Sequence, residues 1–152
     1  MYGKGDNMGI FNSFDISASG MTAQRLRSDT ISQNIANVNT TNTGDGKPYV
    51  RKTVVFQEKD ATSFDKVLLA AQGTVGSGVK VSAIVEDNDN DFIMKYEPSH
   101  PDADENGYVT YPNVNIVEEM TNLIDASRAF EANVTAFDAS KSMAMKALEI
   151  GQ

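Results

Sequence analysis

The sequence predicts an α+β fold: long N- and C-terminal helices pairing as an antiparallel coiled coil, with a small β-rich middle region. Three observations predict it. Apolar residues recur at alternating steps of four and three near both chain ends. The middle alternates in steps of two and is rich in β-branched and aromatic residues. Clusters of Gly, Pro, Asn and Asp separate those middle segments. The chain of 152 residues then divides into an N-terminal extension (1–9), a first helix (10–40), a β-rich region (41–114) and a last helix (115–152).

"MYGKGDN" reads as a tag or loose extension ahead of Met8, or as a native start at Met1. It lacks the apolar core of a secretory signal, so export by the general secretory route is not expected. The first stripe runs Ile10, Phe14, Ser17, Met21, Gln24, Ser28, Ile31, Ile35 and Val38, and six of these nine are apolar. Gly20 costs a helix about 1 kcal/mol against Ala, which predicts a kink or a segment helical only when packed. Gln24 and Ser28 either set register, as polar seam residues do in coiled coils, or face solvent. "IANVNTTNTGDG" (Ile35–Gly46) ends the helix: Asn37, Asn39 and Asn42 offer side-chain bonds to backbone groups, and Gly44 and Gly46 release the chain.

Four strands are expected next. They lie in "YVRKTVVFQ" (Tyr49–Gln57), "GVKVSAIVE" (Gly78–Glu86), "FIMKYE" (Phe92–Glu97) and "GYVTYP" (Gly107–Pro112). Alternation puts Phe92, Met94 and Tyr96 on one face. "SFDKVLLAAQ" (Ser63–Gln72) reads as a short helix or a loop. The last helix has the stronger stripe: Ile116, Met120, Leu123, Ser127, Phe130, Val134, Phe137, Lys141, Ala144 and Leu148, of which eight of ten are apolar. Asn115 is positioned to cap it, with Glu118 completing a capping-box pattern. Glu118 and Glu119 suit the positive end of the helix dipole, and Lys141 and Lys146 the negative end. Gly151 is a natural terminator. Roughly 35 residues make a rod of about 50 Å.

A middle region of about 75 residues has only a small core, so the helices must bury their stripes on each other, on the middle, or on other molecules. Val117, Ile124 and Met145 fall off the main seam and add apolar surface in need of cover. Seam geometry alone leaves a self-contained helical hairpin and an assembly protein about equally supported.

Composition and motifs exclude most chemistry. The net charge of −8 and the lack of a cationic face argue against nucleic acid. No apolar run reaches the roughly 18 residues of a membrane span. Without cysteine there is no thiolate zinc site, disulfide or cysteine nucleophile. His100, the lone histidine, lies between Pro98 and Pro101 with no serine elbow to accompany it. Gly73 and Gly78 lack the Lys-Ser/Thr that a P-loop requires. The nearest metal pattern is "DADENG", with Asp102, Asp104, Asn106 and Gly107 at EF-hand positions. Asn113 stands where a bidentate Glu is needed, so an Asx-rich turn with Gly107 at positive φ is the stronger reading. A calcium-binding interaction module using Asp102–Gly107 is the alternative function. No catalytic residue, cofactor or metal is expected.

Three stretches together resemble a known family. "DISASGMTAQRLRSDTISQNIANVNTT" (Asp15–Thr41) resembles the N-terminal signature of bacterial flagellar rod and hook proteins. "HPDADENGYVTYPNVNIVEEM" (His100–Met120) and "ASRAFEANVTAFDASKSMAMKALEIG" (Ala126–Gly151) narrow the resemblance to its short proximal-rod members. It covers nearly the whole chain after residue 8. Residues 1–7 extend beyond the usual family start, and Ile116 stands where relatives often carry Pro. The resemblance implies a structural subunit of the flagellar basal body, stacked helically in a rod that crosses the periplasm and transmits torque to hook and filament. It implies export through the flagellar type III apparatus without a cleaved signal. Partners would be further copies of the chain, other rod proteins, the rod base and the surrounding ring components.

On that reading the first helix contributes Phe14, Met21, Ile31, Ile35 and Val38 to subunit contacts. The last helix contributes Met120, Leu123, Phe130, Val134, Phe137 and Leu148. Asn34, Asn37, Asn39, Thr40 and Thr41 form the junction between helix and loop.

Overall fold

The computed structural model of the chain describes residues 6–59 and 76–150. The Ser63–Gln72 segment, Gly73 and Gly151 lie outside the described residues. Helix α1 spans Asp6–Ala36, and four strands follow: β1 (Lys52–Glu58), β2 (Val79–Glu86), β3 (Ile93–Tyr96) and β4 (Tyr108–Tyr111). Helix α2 spans Ile116–Ile150. The strands form two separate pairs among the described residues, β1 with β2 and β3 with β4. Two compact units result. One comprises Met1–Arg25, Phe56–Ser82 and Ser127–Gln152; the other comprises Leu26–Val55 and Ala83–Ala126.

In the first unit the two helices run antiparallel, because Phe14 meets Phe137 while Gly20 meets Asn133. The two phenyl rings lie 4.9 Å apart between centroids, tilted by 53°, a favourable aromatic geometry. Gly20 stays helical, and its role is a close approach. A Cβ there would stand 2.6 Å from Oδ1 of Asn133, closer than non-bonded atoms tolerate. The helix is continuous through Gly20, and its close packing against α2 accounts for the missing side chain, in keeping with a segment that is helical when packed. Ser19 ties β2 to this unit. Its hydroxyl donates to the Ile16 carbonyl at 2.7 Å and accepts the Val79 N–H at 3.1 Å.

In the second unit the apolar core comprises Ile31, Tyr49, Val109, Val114 and Ala126. Strands β3 and β4 pair antiparallel, with Ile93 opposite Tyr111 and Tyr96 opposite Tyr108. Val109 on β4 is fully buried, whereas every side chain of β3 is exposed. Between these strands the acidic stretch forms a tight turn. The Asp104 carboxylate accepts the N–H groups of Asn106 (2.9 Å) and Tyr108 (2.8 Å), and Gly107 adopts φ 79°. Two strands flank the turn where an EF-hand needs two helices. Asp102 accepts the Thr41 hydroxyl at 2.6 Å, so both acids serve the chain's own donors. This geometry favours the Asx-rich turn over the calcium loop.

The sequence places Val38 on the last turn of the first helix, but α1 ends two residues earlier. The Val38 N–H reaches back only three residues, to the Ile35 carbonyl at 3.3 Å, and Asn37 Nδ2 donates to the Gln33 carbonyl at 2.9 Å. Tightened bonds and a side-chain amide thus close the helix before Val38 joins it.

Candidate assembly interface

A buried polar cluster sets the geometry from which the helix faces emerge. Asn34, on the last turns of α1, is fully buried. Its Nδ2 donates to the Lys52 carbonyl and to Glu119 Oε2, both at 2.8 Å. Its Oδ1 accepts the Lys52 N–H and the Tyr49 hydroxyl, both at 2.9 Å. All four hydrogen-bonding sites of the amide are occupied.

Glu119 is 1% exposed and sits on the first turn of α2. The Asn115 side chain positions that turn by accepting the Val117 N–H at 3.0 Å. A buried carboxylate persists only when paired and hydrogen-bonded. Here Arg51 supplies the charge, with Nε at 2.9 Å and a terminal nitrogen at 2.8 Å from Oε1. The second terminal nitrogen of Arg51 reaches Asp87 at 3.0 Å. Asn113 completes the frame: its Oδ1 accepts the Arg51 N–H at 2.9 Å, and its Nδ2 donates to the Asp87 carbonyl at 2.7 Å.

Burial pushes the Arg51 guanidinium down, but the Glu119 and Asp87 carboxylates outweigh this and hold it above its ordinary value. The Asn90 amide and then Arg51 hold the Asp87 carboxyl below its ordinary range, against a smaller opposing effect of burial. Burial, with Glu119 and Glu86 nearby, raises the Tyr49 phenol. Every partner belongs to this chain, and among the described residues the cluster's charged groups are engaged with one another. It holds elements together.

The helix faces are incompletely covered. On α2, Ile116 is 45% exposed, Val117 74%, Met120 54% and Ile124 53%. Toward the C-terminal end, Met143, Met145, Leu148 and Ile150 are also exposed. Of the residues assigned to subunit contacts, Ile31 is buried. Phe14, Met21, Ile35, Val38, Leu123, Phe130, Val134 and Phe137 are half-buried, and Met120 and Leu148 are exposed. Sequence reading misplaced the covered track on the first half of α2. Glu119 and Ala126 are buried there, one residue off the expected positions Met120 and Ser127. An acid is not read as a core residue, and its partner Arg51 lies 68 residues away.

The junction residues divide. Asn34 is buried as described. Asn37 Oδ1 accepts the Thr40 hydroxyl at 3.1 Å, and Thr41 bonds Asp102. Asn39 is exposed. Asn34 reads in sequence as one Asn among several, and nothing in its spacing announces the four bonds. Val117, Ile124 and Met145 stand out beforehand as off-seam apolar residues; Met143 and Ile150 carry no such signal.

Residues 14–42 match the family model described as "Flagella basal body rod protein", and residues 105–150 match "Flagellar basal body rod FlgEFG protein C-terminal". These matches, with open helix faces, define a structural flagellar rod protein. A flagellar basal-body rod protein FlgC from Bacillus subtilis (strain 168) is 48% identical over 152 residues, covering 95% of this chain and 100% of the relative. Proteins of the same name from Borreliella burgdorferi and Escherichia coli O6:H1 are 45% and 41% identical, covering 95% of this chain and 99% and 100% of their own lengths. The chain belongs to the FlgC family of flagellar basal-body rod proteins.

Proposed function

We propose that this chain is a proximal-rod subunit whose α1 and α2 pair as an antiparallel coiled coil and whose copies polymerise helically into a torque-transmitting shaft. The observation that carries this is the large apolar surface left open near both ends of α2, where Val117 is 74% and Leu148 73% exposed. Large apolar side chains grouped along a helix mark a surface meant to be covered. A shaft needs many such contacts and no turnover chemistry.

In this reading residues 10–40 and 115–152 build the shaft, and 41–114 meets neighbouring subunits. Phe14, Met21, Ile31, Ile35, Val38, Met120, Leu123, Phe130, Val134, Phe137 and Leu148 contribute to the subunit contacts, Met120 and Leu148 being the most open of them. Those neighbours are other rod proteins and further copies, with the rod base and ring components around them. The rod crosses the periplasm, and the chain reaches it through the flagellar type III apparatus without a cleaved signal. Among the described residues no helix is long and apolar enough to cross a membrane, in keeping with this route.

The test is swimming. Phe130→Asp with Phe137→Asp should abolish motility while the protein is still made and exported. Val117→Asp with Met120→Asp should do the same with the purified chain's circular dichroism unchanged, which separates assembly from folding. Full swimming of both double variants would refute the proposal.

A further inference from the structure

The chain's one histidine is built into the turn between β3 and β4 as an acceptor. His100 is half-buried. Its N–H donates to the Glu97 carbonyl at 3.0 Å, and its carbonyl accepts the Ala103 N–H at 3.1 Å. These bonds fix the backbone on both sides of the ring. Nδ1 of the ring accepts the Asp102 N–H at 3.1 Å. That bond needs the neutral imidazole with its proton on Nε2, because Nδ1 accepts only while it carries no proton.

Asp102 also meets two side-chain donors through one oxygen. Its Oδ2 accepts the Thr41 hydroxyl at 2.6 Å and lies 4.0 Å from Nδ1 of His100. Thr41 belongs to the junction after α1, where the neighbouring Thr40 carbonyl accepts the Tyr49 N–H at 3.1 Å. A cavity of about 330 Å³ bordered by Thr41, Asp102, Asp104 and Tyr108 opens beside the contact, so the carboxylate has room to turn. The other ionisable groups about the ring come from β3 and β4. The Tyr111 ring centroid is 6.4 Å from that of His100, and its hydroxyl donates to Glu97 at 3.0 Å. Lys95 covers the Tyr111 ring at 4.5 Å. Glu97 and Asp102 favour a charged imidazole, and Lys95 opposes it.

We propose that His100 is a proton-operated latch on the junction after α1: with the ring neutral Asp102 holds Thr41, and with the ring protonated Asp102 turns to the imidazolium and releases Thr41. A proton taken from solvent onto Nδ1 acts twice. It sets a ring N–H against the Asp102 N–H, donor against donor. It also places a positive charge 4.0 Å from Oδ2, and a charge-assisted bond is stronger than one from a neutral hydroxyl. Histidine is the side chain that changes charge between about pH 5 and 8, so the latch is closed at the upper end of that range and open at the lower. The latch stands on the fold alone and is independent of the rod reading.

Nuclear magnetic resonance of the isotope-labelled full-length chain across that range tests it. The Thr41 and Asp102 amide signals should move with the His100 imidazole signal through one shared midpoint. His100→Asn supplies an uncharged acceptor for the Asp102 N–H, as in an Asx turn. Its spectrum at the upper pH should match the parent, and its Thr41 signal should no longer move. Thr41→Val removes the competing donor and should raise the His100 midpoint by about half a pH unit, the equivalent of one modest hydrogen bond.

A Thr41 signal that stays still while His100 titrates overturns the proposal. So does a Thr41 response that persists in His100→Asn, or a His100 midpoint unmoved by Thr41→Val. Should His100→Asn disturb the turn itself, the Thr41→Val midpoint decides alone. The motility variants bear on none of these outcomes, so the latch and the rod reading stand or fall separately.

Discussion

The two units of this chain are held by opposite means. The unit containing Asn34 and Glu119 is organised by a buried charge pair and an amide with all its bonds made. The unit containing Phe14 and Phe137 relies on an aromatic pair and on Gly20 lying close to Asn133. Polar clusters are demanding, since each missing partner costs the desolvation of the group left behind. Aromatic and backbone contacts tolerate small shifts.

The sharpest way to break this contrast is Glu119→Ala. It leaves Arg51 buried without its main partner and Asn34 without one acceptor, and should cost about 3–5 kcal/mol. Amide hydrogen exchange should show loss of protection in Leu26–Val55 and Ala83–Ala126 well beyond any loss in the other unit. Equal loss in both would erase the distinction.

Gly20→Ala is the matching change in the first unit and should have a smaller effect. The added methyl meets the Asn133 amide and should cost about 1–3 kcal/mol as overpacking, less the gain of about 1 kcal/mol in helix propensity. Combined with Asn133→Ala, the sign should reverse toward stabilisation in thermal melts. If Gly20→Ala alone stabilises, the close approach is not what keeps Gly20.

The smallest effect concerns acid. The Asp87 carboxyl has a lowered pKa in the folded chain, so the unfolded chain binds this proton more readily. Its contribution is fully present above the ordinary carboxylate value of about 3.9 and is lost as pH falls through the lowered folded value. Asp87→Asn should flatten the acid limb of melting temperature against pH below about pH 4. The limb should be unaltered if Asp87 does not serve the cluster.

Regular elements with local period were the legible part of the fold. The last helix, its Asn115 cap and the four strands all appear where periodicity and turn residues put them, although the buried side of that helix falls one residue off the predicted stripe at Glu119 and Ala126. Phe92, Met94 and Tyr96 share a face by simple alternation, and all three are exposed. Strand pairing was not legible, because partners such as Tyr96 and Tyr108 are chosen by contacts that no single segment encodes. Nor was the burial of Glu119, which makes sense only with Arg51 in place. Gly20 read as a weakness because propensity speaks of an isolated helix, and the reason for it stands on the other one.

Asn34 has a consequence for the chain before and after assembly. Its amide takes both the N–H and the carbonyl of Lys52, as the backbone of an adjoining strand would. A helix side chain thereby caps the outer border of β1 at its start, on the side away from the Arg51 carbonyl that Asp87 engages. Free strand borders invite foreign strands and lead to aggregation. For a protein that assembles with its own kind, engaging this border at Lys52 disfavours cross-chain sheets at the start of β1.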